Sequence, residues 1–381
     1  MKIVCISASM VPSSTANSIQ AMKACQALAQ LGHSVQLMVP RPGAKTQPEL
    51  DIKAHYGLVT NFAIEWLPAS LRLHRYDLGW RAIRRARALQ ADLIYTWLPQ
   101  AGVFGLLHGF PLILELHGPP EGWFGPSLFR LLLRLPGKKR LLPITQALAE
   151  LLKKPGLLLD RPARQVTTVI SPNGIDLERY TGLPDPSTAR RMLGLKEAPT
   201  AGYTGHLYAG RGTGLLVELA HRLPEVNFLW VGGREADVHS WRSRLQTEGL
   251  TNIHLTGFVQ NCQLPLYQAA ADVLLMPYER MITGSSGGDS AAYASPMKMF
   301  EYMACRRPIL SSDLPVIREV LNPANAVLCP AEDAQPWADA LAALLADAAR
   351  CNSLANQAWQ DVQPYTWLER ARRALAGFPI P

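Results

Sequence analysis

Short apolar runs rich in β-branched residues alternate along this chain with longer stretches whose apolar positions recur every three to four residues. That alternation predicts parallel sheets covered by helices on both faces. In the first half, Lys2 to Ser7, Ser34 to Val39, Leu93 to Thr96, Leu112 to Leu116, Leu141 to Ile144 and Thr167 to Ile170 read as strands. Between the first two, a helix is expected from about Asn17 to Leu31, closed by Gly32 where a left-handed residue costs least. A Pro- and Gly-rich stretch from Ser171 to Thr188, SPNGIDLERYTGLPDPST, interrupts the alternation as a linker would. Beyond it the pattern restarts, with strands at Thr200 to Thr204, Asn227 to Val231, Ile253 to Thr256, Val273 to Pro277, Pro308 to Ser311 and Ala326 to Cys329. Two Rossmann-like units in tandem are the economical reading, and sheets of that type bind ligands at the carboxyl ends of their strands. The tail, YTWLERARRAL from Tyr365 to Leu375, reads as a basic amphipathic helix whose Trp367 and Leu368 need a surface to cover.

Composition narrows the picture. A chain of 381 residues with 48% apolar and 18% charged positions is neither disordered, nor fibrous, nor a small disulfide scaffold, and it is long enough for two cores. The net charge of +8 is uneven: up to Tyr180 there are 21 basic and 11 acidic residues, and beyond it 17 and 19. No apolar run reaches the ~18–20 residues that cross a bilayer, since Ala101 to Leu116 is interrupted by His108 and Pro111. The start, MKIVCIS, reads as a strand rather than a secretory signal, and six scattered cysteines without a CxxC pair are most simply reduced, buried thiols of a cytosolic protein. With no DxD or HExxH, neither a metal ion nor a cofactor is expected.

Two segments carry candidate chemistry. GYTGHLYAGRGTG, Gly202 to Gly214, follows the first strand of the second unit. Glycines at a strand-to-helix turn let backbone N–H groups approach a phosphate, and His206 and Arg211 add side-chain donors. A plain glycine-rich turn is the alternative. The second segment, SPMKMFEYMACRRPILSSDLPVIREVL, runs from Ser295 to Leu321. Met299, Tyr302 and Met303 share one helical face, and Glu301 lies off it, where a carboxylate can accept hydrogen bonds from ribose hydroxyls. Ser295 and Pro296 suit a helix N-terminus, with Met297 and Lys298 in the first turn.

Together these segments resemble the retaining glycosyltransferases of family 4. The resemblance implies the GT-B fold, an α/β architecture of two Rossmann-like domains facing a central cleft, and nucleotide-sugar donors. The family's G-R-L-x-x-x-K-G motif is matched by Gly205, His206, Leu207, Arg211 and Gly212, with His in place of Arg and Arg in place of Lys. Asn173, Gly174 and Asp176 fit the N-G-x-D before the interdomain linker. Val231, Gly232 and Gly233 fit the strand end that follows, and Thr256, Gly257, Phe258 and Val259 fit the segment whose backbone reads the base. His117, in LELHG, fits the family's cleft histidine near the transferred sugar, and the C-terminal amphipathic helix fits the one that returns to the first domain. The implied domains are an acceptor domain, 1–176 with 365–381, and a donor domain, 177–364. The implied roles are His117, Arg211 and Glu301 as catalytic residues, and Gly205, His206, Gly212, Gly232, Thr256, Gly257, Phe258, Ser295, Pro296, Met297 and Lys298 as donor-binding residues.

The departures are specific. The family's E-x7-E would place carboxylates at positions 293 and 301, but the first is Tyr293. The loop from Tyr278 to Lys298 is longer than the family's, so sugar recognition by Asp289, Ser295 and Lys298 is one expectation and a loop without a ligand role the other. Arg306 stands where A-C-G-R-P has Gly. After the first strand the chain has MVPSSTANSIQ instead of paired glycines, so Asn17 and Ser18 either cap the first helix or face donor or acceptor in the cleft. The basic first half has three clusters: Arg72, Arg75, Arg81, Arg84, Arg85 and Arg87; Arg130, Arg134, Lys138, Lys139 and Arg140; and Lys153, Lys154, Arg161 and Arg164. An anionic membrane surface carrying a lipid-linked acceptor, at the inner face of a cytoplasmic membrane, is one explanation, and solvated helix faces are the other. No aromatic-interleaved basic motif points to nucleic acid. The resemblance implies transfer of a sugar to a glycan or lipid-linked acceptor with anomeric retention. The alternatives are a sugar-nucleotide epimerase or hydrolase on the same fold, and a non-catalytic binding subunit.

Overall fold

A computed structural model describes residues 1–42, 51–153, 166–282 and 289–379. Contacts divide the chain into two compact units, Met1–Asn173 with Trp367–Pro381, and Gly174–Thr366. Each is a wholly parallel sheet with helices between its strands.

The first sheet contains β1 (Lys2–Ile6), β2 (Ser34–Pro40), β3 (Ala63–Leu67), β4 (Leu93–Thr96), β5 (Leu112–Leu116), β6 (Lys139–Pro143) and β7 (Val166–Thr168), in the order β3-β2-β1-β4-β5-β6-β7. The β1, β2, β4 and β5 runs are apolar because helices cover both faces; Ile3, Leu37, Ile94 and Leu114 are fully buried. The edge strand β3, AIEWL, is not predicted from the apolar pattern, because as a half-buried edge it carries Glu65 and Trp66 in place of a continuous apolar run. β6 begins two residues earlier than expected, and its Lys139 and Arg140 are buried. Lys139 Nζ donates to the carbonyls of Leu135 and Gly137 at 2.6 and 2.8 Å. Arg140 donates to Thr167 Oγ1 and to the carbonyls of Ala374 and Ala376 in the C-terminal segment. These two cations therefore leave the basic surface cluster to which the sequence assigned them. Lys154, Arg161 and Arg164 lie outside the described residues.

The first helix, Ala16–Gln30, is built from alanine and straight-chain residues and closes at Gly32 as expected. Its start corrects the capping alternative for Asn17 and Ser18. The N-cap is Thr15, Asn17 is exposed, and Ser18 is a buried interior residue whose Oγ donates to the Ser13 carbonyl and is bonded to Tyr56 Oη.

The second sheet contains β8 (Thr200–Thr204), β9 (Asn227–Val231), β10 (Ile253–Gly257), β11 (Val273–Met276), β12 (Ile309–Ser312) and β13 (Val327–Cys329), in the order β10-β9-β8-β11-β12-β13. Its core gathers Phe228, Trp230, Leu216, Leu219, Trp337 and Leu341. The strand order reverses between β8 and β11, so the loops leaving those two strands border the crevice where doubly wound sheets take ligands.

All six cysteines are free. Cys5, Cys25, Cys305 and Cys329 are buried, but Cys262 is exposed, which corrects the expectation of uniformly buried thiols. No helix among the described residues is long and apolar enough to cross a membrane. The terminal helix is Trp367–Leu375, preceded by a short 3₁₀ turn over Gln363–Tyr365. Its buried face is Trp367, Arg370, Ala371 and Ala374, a stripe at helical spacing that includes an arginine.

Candidate functional site

In the second unit the carboxyl ends of β8, β9 and β10 meet through glycines. Gly205 donates its N–H to the Val231 carbonyl at 2.8 Å, and Gly232 donates to the Gly257 carbonyl at 2.9 Å. A side-chain carbon on Gly232 would fall 2.5 Å from the Gly205 carbonyl oxygen, and Gly232 sits at φ +113. Backbone therefore approaches backbone where a side chain would separate the strand ends. The same holds where the loop meets β11. At Gly212, with φ +73, an added carbon would lie 1.8 Å from the Pro277 carbonyl oxygen.

Two cations occupy the crevice between β8 and β11. Arg211, on the loop after β8, lies 5.1 Å from the ring centre of Tyr208 and 5.2 Å from that of Tyr278, and donates to Tyr208 Oη at 3.2 Å. Lys298 enters from the helix Met297–Cys305. Its Nζ sits 4.0 Å over the Tyr203 ring and 5.3 Å from Tyr278. Aromatic faces hold both basic side chains. Burial and the charge of Arg211 pull the Lys298 pKa well below that of an ordinary amine, against an opposing pull from Glu301. Both basic side chains share the Tyr278 ring. His206 stacks on Tyr208, with ring centres 5.0 Å apart. Burial, Arg211 and Lys298 lower its pKa, so His206 adds a neutral ring rather than a third cation.

The glycine loop differs from its sequence reading in one respect. Gly210 and Gly212 direct their N–H groups to the carboxylate of Glu279, at 3.2 and 3.1 Å, rather than outward. These two amides are therefore already occupied by a carboxylate of the chain itself.

Glu301 follows Lys298 by one helical turn, on the same side of the helix. Gln268 Nε2 donates to Glu301 Oε2 at 2.9 Å and to Thr204 Oγ1 at 3.3 Å, while Tyr180 Oη donates to Gln268 Oε1 at 2.9 Å. Tyr302 Oη accepts from the Thr204 N–H at 2.9 Å, tying the helix to β8. Gln268 is fully buried, so this network fixes the Glu301 carboxylate while leaving the residue half-exposed. Ser295 is buried, Pro296 is the N-cap of the helix, and Met297 and Lys298 open its first turn. Thr256 Oγ1 is turned to the Gly257 carbonyl at 2.8 Å, and Phe258 beside it is 59% exposed, a free aromatic face at the end of β10. Asp289 is a loop-building residue: its Oδ1 accepts from the N–H groups of Ile282 and Ala291, both at 2.9 Å, and these bonds lower its pKa. The rest of the Gly/Ser loop, 283–288, lies outside the described residues. Arg306, unexplained from sequence, is the left-handed C-cap of the Met297–Cys305 helix at φ +55, which is why glycine suits that position, and its guanidinium lies 4.1 Å over Trp359.

In the first unit His117 follows β5. Its Nε2 is 2.8 Å from Oε1 of Glu115, a buried carboxylate in the middle of the sheet. Arg370 of the terminal helix meets the same oxygen at 2.6 Å, Tyr95 Oη donates to the other, and Gln20 donates to Glu115 as well. Arg370 also donates to the carbonyls of Ser171 and Pro172. Burial alone would raise the Glu115 pKa, but Arg370 first and His117 second hold it below the usual carboxylate range. A permanently ionised Glu115 binds the Nε2 side of the imidazole, leaving Nδ1 as the free edge.

The sequence reading named Arg211, Lys298, Glu301 and His117 as candidates, but not the groups that hold them. Tyr203, Tyr208, Tyr278, Gln268 and Glu279 read as ordinary strand and loop residues. Two signals were available in the first unit: a lone Glu inside the apolar run LILEL, and Arg370 in helical register with Trp367, Ala371 and Ala374.

Comparison with known proteins bears on this site. Residues 19–179 match the family model described as Glycosyltransferase Family 4, and residues 198–347 match Glycosyl transferases group 1. The chain is 30% identical over 218 residues to a D-inositol 3-phosphate glycosyltransferase of Xylanimonas cellulosilytica, covering 54% of this chain and 49% of that one. It is 28% identical over 156 residues to the putative teichuronic acid biosynthesis glycosyltransferase TuaH of Bacillus subtilis, covering 40% and 36%. The chain thus spans about half or less of the length of these relatives. Among solved structures, Anabaena Alr3699/HepE in complex with UDP superposes with a TM-score of 0.72 at 18% identity over 98% of both chains. WaaG, a glycosyltransferase of lipopolysaccharide biosynthesis, gives 0.68 at 14% identity over 99% of this chain and 100% of that one. At those identities the likeness establishes the GT-B fold.

Proposed function

Because this chain belongs to glycosyltransferase family 4, we propose that it moves a sugar from a nucleoside-diphosphate sugar to an acceptor hydroxyl, on a glycan or a lipid-linked molecule, with retention of anomeric configuration. The observation that carries this reading is the pair of cations, Arg211 and Lys298, held by tyrosine faces at the point where the strand order reverses. Two basic side chains held on tyrosine faces at that point suit a diphosphate. The solved HepE complexes with UDP and with UDP-glucose support a donor of that class.

As the sugar–oxygen bond breaks, charge accumulates on the leaving diphosphate. Arg211 and Lys298 stabilise that charge, and removal of one such contact typically costs ~10²–10³ in rate. Glu301 accepts hydrogen bonds from donor hydroxyls, and Phe258 offers its face to the base. His117, with its Nε2 side tied to Glu115, is the first unit's candidate for contact with the transferred sugar. Retention proceeds by front-face displacement, with neither a metal ion nor a cofactor. The test is turnover of UDP-, GDP- and ADP-sugars, with and without acceptors, by wild type and Arg211→Ala. The reading requires at least one donor to be consumed, with turnover by the folded variant about 10²–10³ slower; wild-type-like turnover by the variant would remove the phosphate role.

The acceptor is proposed to lie on an anionic membrane surface at the cytoplasmic face. Helices Tyr76–Ala88 and Gly125–Arg134 both pack against helix Pro99–Leu107 and so share one side of the first sheet. Around them Trp123 is 92% exposed and Phe124 71%, with Leu71, Leu73, Trp80, Leu107 and Leu131 also exposed. Arg72, Arg81, Arg84, Arg87, Arg130 and Arg134 surround these side chains in the sequence and are themselves exposed. Exposed aromatics among arginines suit an interface with anionic headgroups. Sedimentation with phosphatidylglycerol vesicles should show binding that weakens at high salt and in Trp123→Ala. Equal sedimentation with neutral vesicles would contradict the electrostatic part.

A further inference from the structure

We propose that Glu279 is a positioning residue of the donor site, one whose carboxylate takes the place of a bound anion in the glycine loop and thereby sets Arg211. This rests on the reading that Arg211 meets the donor diphosphate. Gly210 and Gly212 are both left-handed, at φ +85 and +73, and their N–H groups converge on one point. Successive backbone N–H groups arranged in this way form a concavity that binds anions. Here the anion belongs to the chain: Glu279 Oε2 accepts from Gly210 and Oε1 from Gly212, one oxygen for each amide. Its backbone joins in, since the Glu279 N–H lies 3.4 Å from the Gly210 carbonyl. The residue between the two captured amides is Arg211. Two residues before Glu279, the Pro277 carbonyl occupies the space beside Gly212 where a side-chain carbon would sit.

The loop is thus clamped to the end of β11 at both flanks of Arg211, across the strand-order reversal. A helix N-terminus at Thr213 adds its dipole to the attraction for the carboxylate. Without the clamp, a loop holding Gly205, Gly210, Gly212 and Gly214 has many conformations, and the Arg211 guanidinium must be ordered when the donor binds. The carboxylate therefore favours donor binding although its charge has the same sign as the donor's, because pre-ordering the arginine outweighs that repulsion. The opposite arrangement, a gate in which Glu279 competes with the diphosphate for the same amides, predicts the opposite sign.

The test is isothermal titration of wild type, Arg211→Ala, Glu279→Ala and Glu279→Gln with UDP, GDP and ADP. If wild type binds none of the three, or Arg211→Ala binds as tightly as wild type, it is the diphosphate site that fails. Given a nucleotide that needs Arg211, Glu279→Ala should bind it about tenfold more weakly, as expected when two charge-assisted hydrogen bonds that order the loop are lost. Glu279→Gln, which turns an amide NH₂ toward one of the loop N–H groups, should be weakened as well, and keeps the side-chain shape if the alanine variant does not fold. Formate added to Glu279→Ala should restore part of the affinity by refilling the concavity, a response that a purely structural role would not give. Unchanged affinity in both Glu279 variants, or tighter binding in either, would overturn the proposal.

Discussion

Replacing Arg370 by methionine keeps the length of the side chain but removes the only cation that touches Glu115 among the described residues, other than a protonated His117. Arg370 is 2% exposed and Glu115 1%. Neither charge reaches water, so the variant leaves a carboxylate stranded in the first sheet. Breaking a buried pair in this manner costs about 3–5 kcal/mol. For a unit of this size each kcal/mol lowers the midpoint by about 2–4 °C, so the first unit should melt roughly 6–20 °C earlier at pH 7. The pH dependence identifies the cause. In wild type the folded pKa of Glu115 is depressed, so its contribution is fully present above the unfolded carboxylate pKa, ~4.3, and is lost only as pH falls below it. In the variant the pull of Arg370 is gone, so burial raises the folded pKa of Glu115 against His117 alone. Proton uptake by Glu115 then offsets part of the penalty on acidification. The difference in melting temperature should therefore shrink between pH 7 and pH 5, which calorimetry at several pH values would show. A deficit of under about 2 °C, or one that grows on acidification, would refute this account of the buried pair.

Further outcomes follow from single contacts. Gly212→Ala should destabilise the second unit by more than about 2 kcal/mol and abolish nucleotide binding, since its new methyl overlaps the Pro277 carbonyl at a positive φ; a wild-type denaturant midpoint would contradict this. Arg306→Gly should leave stability within about 0.5 kcal/mol of wild type, because relief of the left-handed backbone offsets the lost stacking on Trp359, whereas Arg306→Ala keeps the strain, loses the stacking and should cost about 1 kcal/mol. Lys298 has a lowered pKa that a diphosphate would restore, so UDP binding at pH 8.5 should take up protons from buffer, an uptake absent in Lys298→Met. Titration in buffers of different ionisation enthalpy measures it.

The central strands and the glycine-rich turn were readable in sequence because burial on both faces imposes unbroken apolar runs, and because only glycine permits the close approaches at Gly232 and Gly212. What escaped was what periodicity cannot encode. The edge strand β3 carries Glu65 and Trp66, and β6 opens with Lys139 and Arg140, whose charges are satisfied by carbonyls distant in sequence or at turns. Asn17 and Ser18 looked like caps because small polar residues before an apolar run usually are, yet the helix starts earlier and Ser18 faces Tyr56. Within each unit the holding contacts escape the pattern too: Glu115 meets His117 in the first, and in the second Gln268 meets Glu301 and Glu279 takes the amides flanking Arg211, through partners distant in sequence or across a loop.

The measurement that bears most directly on the central claim is proton NMR of the anomeric centre during turnover. UDP-, GDP- and ADP-sugars would be supplied in turn with a lipid-linked or glycan acceptor. Wild type should consume one donor class and form a glycoside with the donor's own anomeric configuration, and Arg211→Ala should do so ~10²–10³ more slowly. Inverted product would contradict retention, and intact donors throughout the panel would contradict sugar transfer itself.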